Sequence, residues 1–155
     1  MTIFSGKKMS LALFAVSTVI GCGGAAKKQE TVSAGIRDYG DGLRWQRFEQ
    51  AAARLPSDVR LEFLDNLEDS EDDLRIDDYE VSRMILKKRG LAEVSIRWFW
   101  HLETKGVVHK TTTTQLWKQS GRRWHLTSET HVKGEELPGL PIWEHLEKDE
   151  PEEAI

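Results

Sequence analysis

Polar side chains that could perform acid–base chemistry recur between residues 79 and 130, among four of the chain's six Trp residues. Tyr79 and His109 could transfer a proton if their surroundings moved the pKa toward ambient pH, and Arg83 could stabilise an anion. Apolar walls with a few convergent polar groups are typical of a ligand pocket. The other candidates for lining such a pocket are Trp98, Trp100, Thr111, Thr113, Gln115, Trp117, Trp124, Ser128 and Thr130.

The same residues also have a structural interpretation. Isolated polar side chains on an apolar face are commonly hydrogen-bonded parts of a core. Arg83 and His109 would then lie at the rim of the sheet, or would be satisfied by Tyr and Thr hydroxyls and by carbonyls at helix ends. The sequence leaves a functional pocket and a satisfied core as alternatives.

The segment from Asp73 to Val132 predicts the element that positions these residues, a meander of four antiparallel strands. Three turns divide it, and the expected central pairs of two-residue hairpins are residues 89–90, 105–106 and 120–121, each ending in Gly. Because opposed residues share a face, these turns assign every side chain to one side. The expected pairs include Tyr79 with Trp100, Val81 with Trp98, Arg83 with Ile96, Ile85 with Val94, Trp98 with Thr113, Trp100 with Thr111, Trp117 with Trp124 and Gln115 with Leu126.

All three predicted hairpins place the same apolar set on one face of the sheet. That face would carry Tyr79, Val81, Ile85, Val94, Ile96, Trp98, Trp100, Leu102, Trp117, Trp124, Leu126 and Val132. The opposite face would carry Glu80, Ser82, Glu93, Ser95, Arg97, Lys110, Lys118, Arg123, Thr127 and Glu129.

Two helices are predicted before the sheet, and its aromatic face would give them a surface to cover. The first spans residues 41–55, with Trp45, Phe48, Ala52 and Leu55 at helical spacing and Pro56 behind it. The second spans residues 57–68. The predicted fold class is therefore α+β: two N-terminal helices packed on a curved four-stranded antiparallel meander, a cone-like half barrel. This domain would span residues 36–134, and residues 135–155 would form an acidic, largely irregular tail.

The N-terminus has the organisation of an export signal. Lys7 and Lys8 precede an apolar stretch at residues 10–20, which is too short to span a bilayer, and small residues precede Cys22. This arrangement resembles the lipobox of bacterial lipoproteins. The resemblance implies that residues 1–21 are a signal peptide and that Cys22 is diacylated. The alternative is a free thiol at the end of an ordinary signal.

Lipidation of Cys22 would anchor the chain in the cell envelope. The small and polar residues 22–35 predict a flexible tether between the lipid and the domain. Because Gly23 rather than Asp follows the Cys, the resemblance implies the periplasmic face of the outer membrane. Cys22 is the only Cys, so a disulfide within the chain is excluded.

The formal net charge of −4 hides an uneven distribution. Residues 65–80 contain nine acids and one Arg, residues 81–134 contain eleven Lys and Arg against three acids, and residues 135–155 contain eight acids and one Lys. A basic sheet would thus lie between acidic flanks. One interpretation is a solvated face with local charge balance, and the other is contact with an anionic envelope component. Nucleic acid is not an expected partner outside the cytoplasm.

The last predicted hairpin carries a family resemblance. The third strand ends in QLWKQSG and the fourth begins RRWHL, which gives the pattern Trp117-Lys118-x-x-Gly121-x-x-Trp124. Helices followed by a meander with this hairpin are similar to the C-terminal part of nuclear transport factor 2-like (SnoaL-type) cone domains, over roughly residues 40–133. That family usually has extra strands among its helices, and none is evident here before Leu74.

The resemblance implies three alternatives for function. Such domains bind small apolar or amphipathic molecules, catalyse isomerisation or dehydration in some members, and only assemble proteins in others. The sequence predicts a ligand-binding or assembly module, with a small enzyme of this fold or a purely structural lipoprotein in an envelope complex as alternatives. The enzyme would use His109 or Tyr79 as the acid–base group and Arg83 as the anion stabiliser.

No metal or cofactor is predicted. Five acids between Asp69 and Glu80 match a calcium-loop spacing, but Leu74 occupies the position where that loop requires Gly for its sharp turn. The five His residues show no metal-ligand spacing with Cys22 or with one another.

Overall fold

The computed structural model describes residues 29–68 and 73–138. It shows an α+β arrangement in which three helices precede a four-stranded antiparallel sheet with the strand order β1-β2-β3-β4. The predicted fold class is confirmed, with one more helix than expected. The elements are α1 (Val32–Arg44), α2 (Phe48–Ala52), α3 (Arg60–Glu68), β1 (Leu74–Lys87), β2 (Leu91–Leu102), β3 (Val108–Ser120) and β4 (Arg123–Gly134).

The first helix lies earlier in the chain than the spacing predicted. Thr31 caps α1, since its hydroxyl accepts a hydrogen bond from the Ala34 N–H, and the helix ends at Arg44. Gln46 then takes a positive φ of 53°, which no α-helix continues. The single helix predicted for residues 41–55 is therefore wrong. The predicted boundary at residue 35, between tether and domain, also falls inside α1. The second predicted helix is present as α3.

Glycines explain how closely α1 packs on the sheet. A Cβ on Gly40 would lie 2.5 Å from Cζ of Tyr79, and a Cβ on Gly35 would lie 3.1 Å from the Trp117 ring. Without these side chains the helix backbone rests directly on aromatic rings of β1 and β3. Ile36, Tyr39 and Leu43 complete the buried side of the helix.

The first hairpin has a different register from the one predicted. A three-residue turn, Lys88–Gly90, joins β1 to β2 in place of the expected two-residue turn, and both Arg89 and Gly90 have positive φ. β1 also contains two irregularities, between Ile76 and Asp78 and between Val81 and Arg83. Each irregularity moves the pairing by one residue. The observed pairs include Tyr79 with Trp98, Val81 with Ile96, Arg83 with Ser95, Met84 with Val94 and Ile85 with Glu93.

The second hairpin keeps the predicted faces although its register is wrong by two residues. Trp98 pairs with Thr111, and Trp100 pairs with His109. Since side chains alternate with a period of two, this shift leaves each residue on its expected side.

The third hairpin begins with the same shift, so that Trp117 pairs with Leu126. An extra residue then enters β4, because Leu116 pairs with Ser128 while Trp117 pairs with Leu126. This bulge reverses the alternation beyond it. Glu129 turns into the core at 3% exposure, whereas Val132, which was predicted to be buried, is 59% exposed.

The core lies between the helices and one face of the sheet. Its largest fully buried side chains are Trp98, Trp117, Tyr39, Phe63, Ile36, Leu55, Leu67, Ile96 and Leu126. Among the described residues, no helix has the length and apolar character needed to cross a membrane.

Candidate functional site

A buried carboxylate occupies the centre of the helix-covered sheet face. Glu129 on β4 accepts hydrogen bonds from Trp98 Nε1 at 3.2 Å, Thr113 Oγ1 at 2.7 Å and Gln115 Nε2 at 3.1 Å, all on Oε1. Its other oxygen accepts the hydroxyl of Tyr39, on α1, at 2.8 Å. Four donors from β2, β3 and α1 therefore converge on one side chain of β4, which ties the layers of the domain together.

Sequence reasoning placed Glu129 on the outer face and missed it as a member of this group. Its position depends on the bulge in β4, because a regular strand would turn Glu129 outward and Val132 inward. The predicted inner face of β4 includes Ser128 and Thr130 between apolar residues. This interruption was the one sign in the sequence that side chains of β4 do not alternate regularly between the two faces.

The indole N–H groups of the predicted pocket are all used within the domain. Trp117 Nε1 donates to Gln115 Oε1 at 2.9 Å, and Trp100 Nε1 donates to Thr111 Oγ1 at 2.8 Å. Trp124 Nε1 donates to the Glu30 carbonyl at 3.2 Å. Trp98, Trp100 and Trp117 are between 0% and 2% exposed, so these rings fill the interior rather than line an open cavity.

Tyr39 and Tyr79 both serve as neutral donors to carboxylates. Burial raises the pKa of Tyr39 well above its ordinary value, and the neighbouring Glu129 carboxylate raises it further. The pKa of Tyr79 is raised chiefly by burial and then by the hydrogen bond that its hydroxyl donates to Asp41 Oδ1 at 2.9 Å. Neither phenol is placed to release a proton near neutral pH.

The three proposed catalytic residues are not brought together. Tyr79 faces α1, where its hydroxyl bonds to Asp41. Arg83 pairs with Ser95 on the outer face and is exposed, which corrects the inward position predicted for it. The bulge between Val81 and Arg83 causes this error, because it moves the pairing by one residue. Arg83, the predicted anion stabiliser, therefore lies on the opposite side of the sheet from the buried Trp side chains.

His109 lies at the edge of the core and is held by two neighbours. Its ring stacks on Trp100 with the centroids 4.6 Å apart, and Nδ1 lies 2.8 Å from Glu135 Oε2. Thr111 contributes to the same corner, because its hydroxyl donates to the Glu135 carbonyl. These contacts attach the start of the predicted tail to the sheet and give His109 a structural partner.

The remaining predicted site residues divide between core and surface. Thr111, Thr113, Gln115 and Ser128 are buried, whereas Thr130 is exposed because it lies beyond the bulge and pairs with Thr114 on the outer face. Cys22, the predicted lipidation site, lies outside the described residues.

The acids of the calcium-loop spacing are partly described. Asp73 accepts hydrogen bonds from the backbone and hydroxyl of Thr104, and the backbone donor is the main cause of its lowered pKa. Asp69 and Glu71 lie outside the described residues. Within the described ranges, no group of three or more His, Cys, Asp or Glu side chains is placed to hold a metal ion.

A second polar cluster holds the entry of the chain into the domain. Arg54, only 3% exposed, donates to both carboxylate oxygens of Glu30 at 2.8 Å, to Asp38 on α1 and to the Trp124 carbonyl at 3.3 Å. Burial alone would lower the pKa of Arg54, but the bonds to Glu30 and Asp38 raise it overall. The guanidinium is therefore a permanent cation that joins the entering chain, α1 and β4. We call this cluster the Arg54 clamp.

A row of apolar side chains on β1 remains exposed beside the core. Val81, Met84 and Leu86 are 43%, 37% and 66% exposed. They pair with Ile96, Val94 and Ala92, which are buried on the helix-covered face. Because β1 is an edge strand of the sheet, this row is the uncovered margin of the face on which α1 packs.

Comparison of the chain with models of protein families, with curated proteins and with solved structures finds no match.

Proposed function

We propose that the chain is a lipid-anchored cell-envelope protein whose α+β domain is an assembly module that works through its surface. The supporting observation is the filled interior: Trp98 and Trp117 are fully buried, and the polar groups between them bond to one another through Glu129. A small-molecule site needs a concavity with polar groups left over for the ligand. Here those groups are used for the fold.

The exposed apolar side chains of β1 indicate which surface of the domain would bind a partner. Partner chains commonly bind at the exposed edge of a sheet and contact the apolar side chains there. Val81, Met84 and Leu86 form one continuous margin beside the core. The lipid expected on Cys22 would keep this margin close to other envelope proteins.

Anchoring is tested by replacing the only acceptor of lipid. Cys22→Ser should release the protein from the membrane fraction and abolish incorporation of labelled palmitate. The parent chain, expressed at the same level, is the control. A variant that still sediments with membranes and still incorporates label would refute the lipoprotein assignment.

Assembly is tested by a matched pair of substitutions. Met84→Lys places a charge in the exposed row, whereas Leu116→Lys places one on the outer face at similar exposure, 37% against 40%. After mild detergent extraction, the parent and Leu116→Lys should migrate with a partner or with a second copy, and Met84→Lys should migrate alone. Equal complex sizes for all three proteins, each with the parent's circular dichroism, would exclude this surface.

A further inference from the structure

One end of the sheet carries a dense group of basic side chains. The β1–β2 and β3–β4 turns lie side by side there, since a Cβ on Gly90 would lie 3.0 Å from Cβ of Gln119. Among the acids around them, Glu93 pairs with Lys87 and Glu30 belongs to the Arg54 clamp. We call this region the basic end, and its exposed cations are Lys87, Lys88, Arg89, Lys118, Arg122 and Arg123.

The chain enters the domain at this same end. The Glu30 N–H donates to the Arg122 carbonyl at 3.2 Å, and the Glu30 carboxylate accepts the Trp124 N–H at 2.9 Å. Seven residues lie between Cys22 and Glu30, and the eight residue steps from one to the other span at most about 28 Å when fully extended. A lipid on Cys22 would therefore hold the basic end, and not another part of the domain, next to the bilayer.

The opposite end of the sheet carries charges of both signs, with the cations Arg75, Lys105, Lys110 and Lys133 beside its acids. Its acids are Asp73, Asp77, Asp78, Glu103, Glu135 and Glu136. β2 has 12 residues and separates the two ends by about 40 Å, whereas charges are screened over about 8 Å at physiological salt. A charged surface at one end of the domain therefore acts mainly on that end.

We propose that the basic end docks on the anionic phospholipid headgroups of the membrane that holds the lipid on Cys22. This inference rests on the proposed anchoring and adds a fixed orientation to it. Leu86, at 66% exposure, and Leu91, at 38%, flank the β1–β2 turn and supply apolar contact at the depth of the headgroups. Docking uses only the end of β1 at Leu86, so that Val81 and Met84, which lie farther from the β1–β2 turn, stay accessible to a protein partner.

The experiment uses the lipidated protein in vesicles of neutral phosphatidylcholine, with or without about one-third phosphatidylglycerol. An environment-sensitive fluorophore is attached at Ser120→Cys in the basic end or at Val107→Cys at the opposite end of the sheet, since the native Cys22 is blocked by lipid. On anionic vesicles the label at position 120 should brighten severalfold, and 0.5 M salt should reverse the change. The label at position 107 should not respond.

Charge reversal gives the matched control. The triple variant Lys88→Glu, Arg89→Glu, Arg122→Glu should lose the response, because each basic residue near an anionic surface contributes about a fivefold factor to partitioning. The triple variant Lys105→Glu, Lys110→Glu, Lys133→Glu changes as much charge outside the basic end and should keep it. Thermal melts establish that both variants are folded.

Each failure has a separate meaning. If the protein floats with vesicles but the label at position 120 reports the same environment on neutral and anionic lipid, docking is wrong and anchoring stands. Equal responses from the two triple variants would also overturn docking, because the basic end would not be its cause. If the protein does not float with either vesicle, the proposed anchoring fails and the orientation inferred from it fails as well.

Discussion

At the scale of single residues, the hydrogen bonds of Glu129 indicate that the polar groups of the interior stabilise the fold. A carboxylate at 3% exposure loses its hydration, and only strong compensating hydrogen bonds make that burial tolerable. Here two aromatic residues, a Thr and a Gln each donate one bond, so the lost water is replaced donor by donor. A group whose acceptor positions are already occupied is a poor candidate for binding a substrate.

Replacing this carboxylate with its amide should destabilise the domain. In Glu129→Gln one acceptor oxygen becomes an NH₂ group that faces existing donors, so the expected loss is about 1.5 to 3 kcal/mol in the free energy of unfolding. Urea midpoints at constant slope give the measurement. Glu136→Gln, an exposed acid, should change stability by less than about 0.5 kcal/mol. Equal midpoints for the two variants would contradict the role assigned to Glu129.

Residues on regular strand segments could be assigned to their faces from the sequence, and those beyond bulges could not. Trp98 and Thr113 lie where alternation predicts because an error of two residues in register preserves the face. Arg83, Glu129 and Val132 were placed wrongly because each follows an insertion of one residue, which reverses the alternation. Such bulges arise from long-range packing and leave no dependable mark in the local pattern.

At the scale of elements, α1 and the Arg54 clamp explain why the helical part was harder to predict than the sheet. The apolar spacing at residues 45–55 suggested one helix, but Trp45 is 60% exposed and Gln46 ends the helical path. α1 is instead selected by Thr31 as its cap and by Gly35 and Gly40, whose lack of a side chain permits close contact with aromatic rings. Glycine has a low helix propensity, so the sequence alone does not favour a helix at these positions. The reason for the glycines is apparent only from the aromatic surface on which the helix packs.

The clamp makes part of the stability depend on pH. The hydrogen bond from Arg54 is the main reason why the pKa of Glu30 is lowered below its ordinary 4.5, with the Trp124 N–H adding to it and burial opposing. A lowered pKa means that the folded state binds this proton less tightly than the unfolded chain does. The stabilisation is therefore complete above about pH 4.5 and is lost as the pH falls through the folded-state value.

We expect Glu30→Gln to remove this dependence. At pH 7 the variant should be less stable by about 1.5 to 3 kcal/mol, because bonds between charged groups are replaced by weaker ones. Toward pH 3 the curves for the parent and the variant should converge. Glu49→Gln, which changes an exposed acid on α2, is the control and should follow the parent at both pH values. A difference between Glu30→Gln and the parent that stays constant from pH 7 to pH 3 would show that the ionised form of Glu30 is not what stabilises the fold.

At the scale of the whole molecule, contacts with the core extend beyond residues 36–134, the range predicted for the domain. Composition changes sharply after residue 134, and the acidic sequence beyond it suggested a tail. Glu135 nevertheless contacts His109 and Thr111, and Leu137 is buried at 7% exposure. Polar composition describes what a segment presents to water, whereas a single apolar side chain can fix the segment to the core.

Burial of Leu137 makes the segment after Gly134 part of the folded domain in a way that substitution can test. Leu137→Ala should lower the free energy of unfolding by about 2 to 4 kcal/mol, since it removes a buried side chain and leaves a cavity. Val132→Ala removes two carbons from a side chain that is 59% exposed and should cost less than about 0.5 kcal/mol. A chain that ends at Gly134 should be less stable than one that ends at Pro138 by at least as much as Leu137→Ala, because the Thr111–Glu135 hydrogen bond and the His109–Glu135 pair are also lost. Equal urea midpoints for these two truncated chains would place the end of the folded domain at residue 134.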